Sequence, residues 1–258
     1  MKTLFVLASF LAFAGSANAT IYVWIDGQTN DISGGASYSS YLENSNVTLT
    51  DDKVVHSGDL SNATLGSSSS MGTLRSYANV DTTALSLPLL PEAWSRAQYR
   101  DSITVGGFGQ VTLRFSMPTS GSYAPGSYNA LELATLEVST DAGALSQPLI
   151  DFIYKSRMNN GVLTIDNDST VGEITVNAGT KISLVGYLTT KATTDRQNSS
   201  ALMSGVDFSH TSESFIEVLT PGGTLTSQSG HSYSPVPEPA SFLALGLGLT
   251  FLARRRKA

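Results

Sequence analysis

The sequence predicts an all-β fold, an antiparallel β-sandwich of jelly-roll-like form, over residues 20–234 of the 258-residue chain. Short runs of β-branched and aromatic residues recur along this region and are separated by clusters of Gly, Ser, Asn and Asp. Strands do not alternate with amphipathic helical segments, as they would in a parallel sheet. The composition is 41% hydrophobic, which is enough to build a core.

The predicted strands are short and are separated by segments with turn signals, which is the pattern of a β-sandwich. The clearest is 111–115, where Val111, Leu113 and Phe115 alternate with polar residues at the period of a half-buried strand. The full set in chain order is 21–25, 46–50, 53–56, 102–105, 111–115, 130–139, 149–154, 161–165, 173–176, 182–188, 215–219 and 224–227.

The connections between these strands are predicted from turn and helix signals. Asp51-Asp52 is expected to turn a hairpin, and the Ser/Gly stretch 57–72 is expected to form a long surface loop. The best helix candidate is 91–100, which has Pro91 at a first-turn position, and a weaker one is 199–204.

The charge of the region 20–234 excludes several classes of function. Only 14% of the chain is charged, and this region has 10 basic and 20 acidic residues. No basic run is present, so we expect no binding to nucleic acid, which requires cations to displace counterions from phosphates. The absence of Cys excludes disulfides, thiol nucleophiles and Cys-type metal sites.

The first 19 residues have the pattern of a secretory signal peptide. Lys2 is followed by an apolar stretch at 4–14, which is too short to span a bilayer. Ala17 and Ala19 then form a small-x-small site, so signal peptidase is expected to cut before Thr20.

The last 24 residues have the pattern of a halt-transfer segment. An uncharged stretch at 240–253 forms a helix of about 21 Å at most, which is marginal for a permanent span. The basic residues after it are expected to stay in the cytoplasm and to stop transfer through the membrane. The stretch lies between Pro237-Glu238-Pro239 and the run Arg254, Arg255, Arg256, Lys257.

This order of Pro-Glu-Pro, short apolar helix and terminal Arg cluster resembles the PEP-CTERM sorting signal of Gram-negative bacteria that secrete exopolysaccharide. The resemblance implies recognition and processing at Pro237-Glu238-Pro239 by a membrane exosortase. A tail-anchored or single-pass protein with a coincidental tripeptide is the alternative. The segments 99–105, 206–211, 221–223 and 227–230 also resemble PEP-CTERM ectodomains, which implies an extracellular β-rich domain and no catalytic residues.

Catalytic signatures are absent from the sequence, and no catalytic residue is predicted. His56, His210 and His231 do not have the spacing of a zinc motif, and no Gly-x-Ser-x-Gly elbow is present. A glycosidase requires two carboxylates across a sugar site. Glu132 and Glu137 lie five residues apart on one predicted strand, which places them on opposite faces.

The segment 166–173 is a candidate calcium site. Asp166, Asp168 and Glu173 offer carboxylate oxygens within a few residues, and extracellular calcium supports weak sites. The segment lacks a complete calcium-loop motif, and Asn and Asp also favour plain turns, so the alternative is a hairpin turn. No other cofactor is expected.

Glycan binding requires aromatic side chains that stack on sugar rings. Tyr123 and Tyr128 flank a turn, and Trp94 is a third candidate. Trp24 lies in an apolar run and is expected in the core, and Tyr233 is a further candidate.

Together these observations predict an exported protein of the cell surface or exopolysaccharide matrix, with a structural or adhesive role. The expected partners are signal peptidase, exosortase, the membrane before processing, and exopolysaccharide. The alternatives are a secreted polysaccharide-active enzyme of glycosidase type and a carbohydrate-binding module.

Overall fold

The computed structural model describes residues 19–31, 34–44, 48–57, 61–82, 92–124, 129–140, 150–159, 162–167, 171–194 and 203–234. These residues form sixteen strands, and every pairing between them is antiparallel. The strands are β1 (Thr20–Asp31), β2 (Gly34–Asn44), β3 (Leu49–Ser57), β4 (Ser61–Ser70), β5 (Thr73–Thr82), β6 (Glu92–Gly106), β7 (Gln110–Ser116), β8 (Thr119–Tyr123), β9 (Asn129–Thr140), β10 (Ile150–Asn159), β11 (Val162–Asn167), β12 (Val171–Asn177), β13 (Lys181–Thr193), β14 (Met203–Glu213), β15 (Phe215–Val218) and β16 (Thr224–Ser227).

The strands are arranged in three sheets. An eight-stranded sheet has the order β11-β10-β9-β13-β6-β1-β2, and β16 pairs with the end of β6 beyond β1. A five-stranded sheet has the order β3-β4-β5-β14-β8, and a three-stranded sheet has the order β12-β7-β15. This arrangement confirms the predicted all-β antiparallel sandwich.

The core lies between the eight-stranded and five-stranded sheets and continues under the three-stranded sheet. Its largest fully buried side chains include Tyr99 and Leu184 from the first sheet, Leu65 and Leu74 from the second, and Phe115 from the third. The inward face also carries many small residues, such as Ala97, Ala134 and Ser76. Small inward side chains allow the two sheets to approach each other closely.

The prediction of a helix at 91–100 is wrong, because residues 92–100 belong to β6, the longest of the described strands. Burial alternates strictly along β6, and Ala93, Ser95 and Ala97 all face the core. Because these inward residues are small and weakly hydrophobic, the period of two is nearly invisible in the sequence. Pairing with β1 and β13 on both sides determines the strand conformation.

The prediction of a surface loop at 57–72 is also wrong, because 61–70 form the inner strand β4. Its Ser67 and Ser69 face the core, where their hydroxyls donate hydrogen bonds to backbone carbonyls of β6, at 3.1 Å to Arg96 and 2.8 Å to Gln98. A buried hydroxyl needs such a partner. The serines that suggested a loop therefore bind the two sheets together.

Two predicted hairpin turns are corrected by the strand pairings. Asp51 and Asp52 lie inside β3, an edge strand that pairs along its whole length with β4. Charged residues are common on such edges, where they oppose pairing with another chain. The segment between Asn167 and Val171 joins β11 of the large sheet to β12 of the three-stranded sheet, so it does not close a hairpin.

The weaker helix candidate, 199–204, ends in a strand, since Met203 and Ser204 begin β14. Residues 199–202 lie outside the described residues, as do the predicted signal peptide up to residue 18 and the predicted C-terminal helix. Ala19 is buried, and Thr20 is the first residue of β1, while cleavage before Thr20 stays a prediction.

Candidate functional site

The outer face of the eight-stranded sheet brings together charged and aromatic residues from four adjacent strands. Leu131 of β9 lies directly opposite Arg157 of β10 on one side and opposite Lys191 of β13 on the other. Lys191 in turn lies opposite Trp94 of β6. Directly opposite residues on one face have Cβ atoms about 5 Å apart, so these four side chains form one row across the sheet.

A cavity of about 460 Å³ lies at the end of this row, where β9 begins and β10 and β13 end. This volume is in the range of small-ligand sites. Its polar lining comprises two cations, an amide and a hydroxyl, and its remaining walls are apolar. The lining residues are Asn129, Arg157, Lys191 and Thr193, together with Ala130, Leu131 and Met158.

Two of the three cations of this face, Arg96 and Lys191, are held by specific contacts. The guanidinium of Arg96 lies 5.1 Å from the ring centroid of Trp94, and its Nε donates a 3.0 Å hydrogen bond to Oγ1 of Thr189. Nζ of Lys191 lies 2.8 Å from Oε1 of Glu92. Arg157 is exposed and makes no ion pair with any residue that the structure describes.

We call the set of Trp94, Arg96, Arg157 and Lys191 with the adjoining cavity the Trp94 face. Of these residues the sequence indicated only Trp94. The three cations come from separate parts of the chain, so no basic run in the sequence reveals them. The net negative charge of the domain also gives no sign of a positive surface. Only the strand order places them together.

Of the other two stacking candidates, the structure describes only Tyr123, which is not part of the Trp94 face. Tyr123 is half-buried at the sandwich interface, where its hydroxyl lies 2.6 Å from Oγ of Ser156 and its ring packs edge-on against Phe208 at 6.4 Å. Tyr128 lies outside the described residues, immediately before β9. The side chain of Trp24 is not among those described either, although its backbone pairs with that of Arg96.

The two acidic residues weighed as a glycosidase pair face opposite ways, as predicted. Glu132 is fully buried on the inward side of β9, and one of its oxygens accepts a 3.1 Å hydrogen bond from Ser156. Its other oxygen has no hydrogen-bond partner among the described residues. Burial raises the pKa of Glu132 to about 8. Glu137 lies on the outer side and accepts a hydrogen bond from the hydroxyl of Tyr187.

The structure places only part of the calcium candidate. Glu173 lies on β12 and is bound to Arg114 of β7, with an Oε1–Nη2 distance of 2.8 Å, and Arg114 also reaches Glu217 of β15 at 3.1 Å. The side chain of Asp166 and the whole of Asp168 are outside the described residues. No group of three or more His, Asp or Glu suited to a metal occurs among the described residues.

Tyr233 and His231 belong to a segment that closes the sandwich, residues 227–233, which we call the C-terminal strap. Several of its side-chain hydrogen bonds meet at the buried carboxyl of Asp101 on β6. Oδ2 of Asp101 accepts hydrogen bonds from Oγ of Ser227 at 2.7 Å, Oγ of Ser229 at 2.6 Å and Oη of Tyr233 at 3.0 Å. Oδ1 accepts hydrogen bonds from the backbone N–H groups of Ser102 and Ser229, at 2.8 and 3.2 Å.

Of the three histidines, only His231 has a described side chain. It packs edge-on against Tyr233 at 4.6 Å between ring centroids, and burial lowers its pKa. Tyr233 is itself buried, so it belongs to the core and not to an exposed stacking surface.

The residues of the predicted sorting signal lie outside the described residues: Pro237, Glu238, Pro239, Arg254, Arg255, Arg256 and Lys257, and Ala17 at the other end. Within the part that the structure describes, no helix has the length and apolar character needed to cross a bilayer. Tyr233, the last buried residue of the strap, is four positions before Pro237.

Comparison with known protein families finds a match to the PEP-CTERM protein-sorting motif at residues 235–257. No curated protein and no solved structure matches the chain. The match covers the Pro-Glu-Pro tripeptide, the apolar stretch and the basic run that the sequence singled out. The chain therefore carries a PEP-CTERM sorting signal behind an antiparallel β-sandwich, and this signal marks it for exosortase-dependent export to the cell surface.

Proposed function

We propose that this protein is a structural or adhesive component of the exopolysaccharide matrix of a Gram-negative bacterium, delivered there by an exosortase. The observation that carries the proposal is the sorting motif at 235–257. In this proposal, signal peptidase cuts before Thr20, and the apolar stretch 240–253 holds the chain in the membrane until an exosortase cuts near Pro237. The sandwich is then released outside the cell.

The Trp94 face supports the glycan-binding part of this proposal. An indole ring stacks on the apolar face of a sugar, while amide, hydroxyl and guanidinium groups bind its hydroxyl and acidic groups. The cavity presents the amide, hydroxyl and guanidinium groups, and Trp94 lies on the adjacent strand, directly opposite Lys191. Because the groups are carried on paired strands, they require little rearrangement to bind.

The intact mass of the protein from the extracellular fraction of its native host tests the delivery route. A chain that begins at Thr20 and ends near Pro237 is the expected result, and any excess mass would report glycosylation. A chain that still extends to Ala258 and stays with the membranes would overturn the exosortase route.

Retention on the host's own polysaccharide tests the matrix role. We expect the secreted protein to be retained and the polymer to keep its length. Shortening of the polymer would instead identify the polysaccharide-active enzyme, the alternative class. The buried Glu132 has the raised pKa of a general acid, but its neighbour Glu137 lies on the opposite face of the strand.

A further inference from the structure

We infer that the Trp94 face binds an acidic polysaccharide, with Arg157 and Lys191 at the carboxylates of uronic acid residues and Trp94 against a sugar ring. This inference rests on the proposed function and names the chemical class of its ligand.

The first support is the sign of the charge. The region 20–234 carries about ten more acidic than basic residues, yet this face gathers Arg96, Arg157 and Lys191. Among the described residues, Glu92 is the one acidic group paired with them. A local positive patch on an otherwise acidic protein attracts anionic groups to this face.

The second support is the availability of Arg157. Arg157 is exposed, lines the cavity and makes no ion pair with the described residues, so its guanidinium offers two parallel N–H groups to a carboxylate. Lys191 faces the same cavity from the opposite side of Leu131. Lys191 is already paired with Glu92, so a ligand carboxylate between the two cations would pair with Arg157 and share Lys191 with Glu92.

The third support is the combination of charge with an aromatic ring and a small cavity. Arg96 lies against Trp94, which fixes the indole beside the cations. A cavity of about 460 Å³ suits a short run of sugar rings. Three cations are few for a nucleic acid, whose affinity depends on neutralising many closely spaced phosphates.

Binding of the full chain to polygalacturonate, its methyl-esterified form and neutral dextran tests this inference by affinity electrophoresis. We expect retardation by polygalacturonate alone, weakened at high salt because the attraction is ionic. The variants R157Q and K191Q should each reduce the affinity, and the pair should reduce it by roughly tenfold or more, since each removes a charge-assisted hydrogen bond. R75Q, which removes an exposed cation from the five-stranded sheet, is the matched control and should bind as the unchanged protein does.

Equal binding to the esterified polymer, unchanged binding of the double variant, or tighter binding to a single-stranded polynucleotide would each overturn the inference. Its failure is distinguishable from failure of the proposed function. Retention on the host polysaccharide without affinity for polygalacturonate rejects only the acidic ligand. Affinity for polygalacturonate without retention on the host polysaccharide rejects only the matrix role.

Discussion

Two buried carboxyl groups, Asp101 and Glu132, have opposite surroundings. Asp101 accepts five hydrogen bonds from four residues, which compensate for the loss of water. Glu132 accepts a hydrogen bond from the hydroxyl of Ser156, and its Oε1 has no partner among the described residues. The low polarity around Glu132 therefore favours its neutral form at physiological pH.

Stability should depend on pH through Glu132. Its pKa is raised from 4.5 to about 8 on folding, so between these values the folded chain binds a proton that the unfolded chain has lost. The free energy of unfolding therefore falls as pH rises through this window. The glutamine side chain of the variant Glu132→Gln is neutral at every pH. At pH 7 the free energy of unfolding of this variant should exceed that of the unchanged protein by on the order of 3 kcal/mol. Near pH 4 the two proteins should be equally stable.

Guanidinium unfolding at pH 4, 6 and 8 measures this difference. Glu137→Gln, on the outer side of the same strand, is the control and should leave the pH dependence in place. If Glu132→Gln retains the full pH dependence of the unchanged protein, the burial of this carboxyl is not its cause.

At the scale of elements, the strands with large apolar residues could be predicted and those with small inward residues could not. The prediction of 111–115 falls within β7, and 182–188 falls within β13. The prediction of 102–105 also falls within β6, but β4 and the first part of β6 were missed because their inward residues are mainly Ala and Ser, which signal loops or helices in isolation. Their role depends on the facing sheet, which the local sequence does not specify.

A hydroxyl cluster between the sheets illustrates this dependence. Oγ of Ser76 on β5 lies 2.7 Å from Oγ1 of Thr190 on β13, and Oγ of Ser95 on β6 lies 2.9 Å from the same atom. Ser95 also donates to the backbone carbonyl of Gly66 on β4. Four strands are thus joined by side chains that the sequence alone places on the surface. The Trp94 face was missed for the same reason, since its cations converge only through strand order.

The packing of Tyr99 over Gly186 gives a prediction for β6 and β13. These residues lie directly opposite each other, and a Cβ on Gly186 would approach Cε1 of Tyr99 to 2.5 Å. Tyr99 is fully buried, and its hydroxyl donates a hydrogen bond to Oγ of Ser214, so the ring has little room to move. Gly186→Ala should lower the free energy of unfolding by about 1–3 kcal/mol in chemical denaturation.

Ser183→Ala, on the outward side of β13, is the control for this substitution and should change stability by less than about 0.5 kcal/mol. An equal effect of the two substitutions would show that the tyrosine ring accommodates the methyl group.

At the scale of the whole molecule, the C-terminal strap should belong to the folded domain and the sorting tail should not. Removal of residues 227–258 leaves the carboxyl of Asp101 with one of its five donors, the N–H of Ser102. We expect this truncation to reduce the free energy of unfolding by about 3 kcal/mol or more. Removal of residues 235–258 alone should leave it unchanged, because it spares every contact of the strap.

Thermal unfolding of the two truncated chains beside the full chain measures both effects. Equal melting temperatures for all three would show that the strap does not stabilise the sandwich. A loss on removal of 235–258 alone would show that the tail packs on the domain.

The strap also determines where the two ends of the domain emerge. Thr20, at the start of β1, pairs with Arg100 of β6. The hydroxyl of Tyr233, in the strap, donates a hydrogen bond to the carboxyl of the next residue of β6, Asp101. The first and last parts of the folded domain therefore both contact β6, at neighbouring residues. A chain still held in a membrane at both ends can complete this fold, since folding does not require the ends to separate. The fold thus imposes no order on the two proposed cuts, at Thr20 and near Pro237.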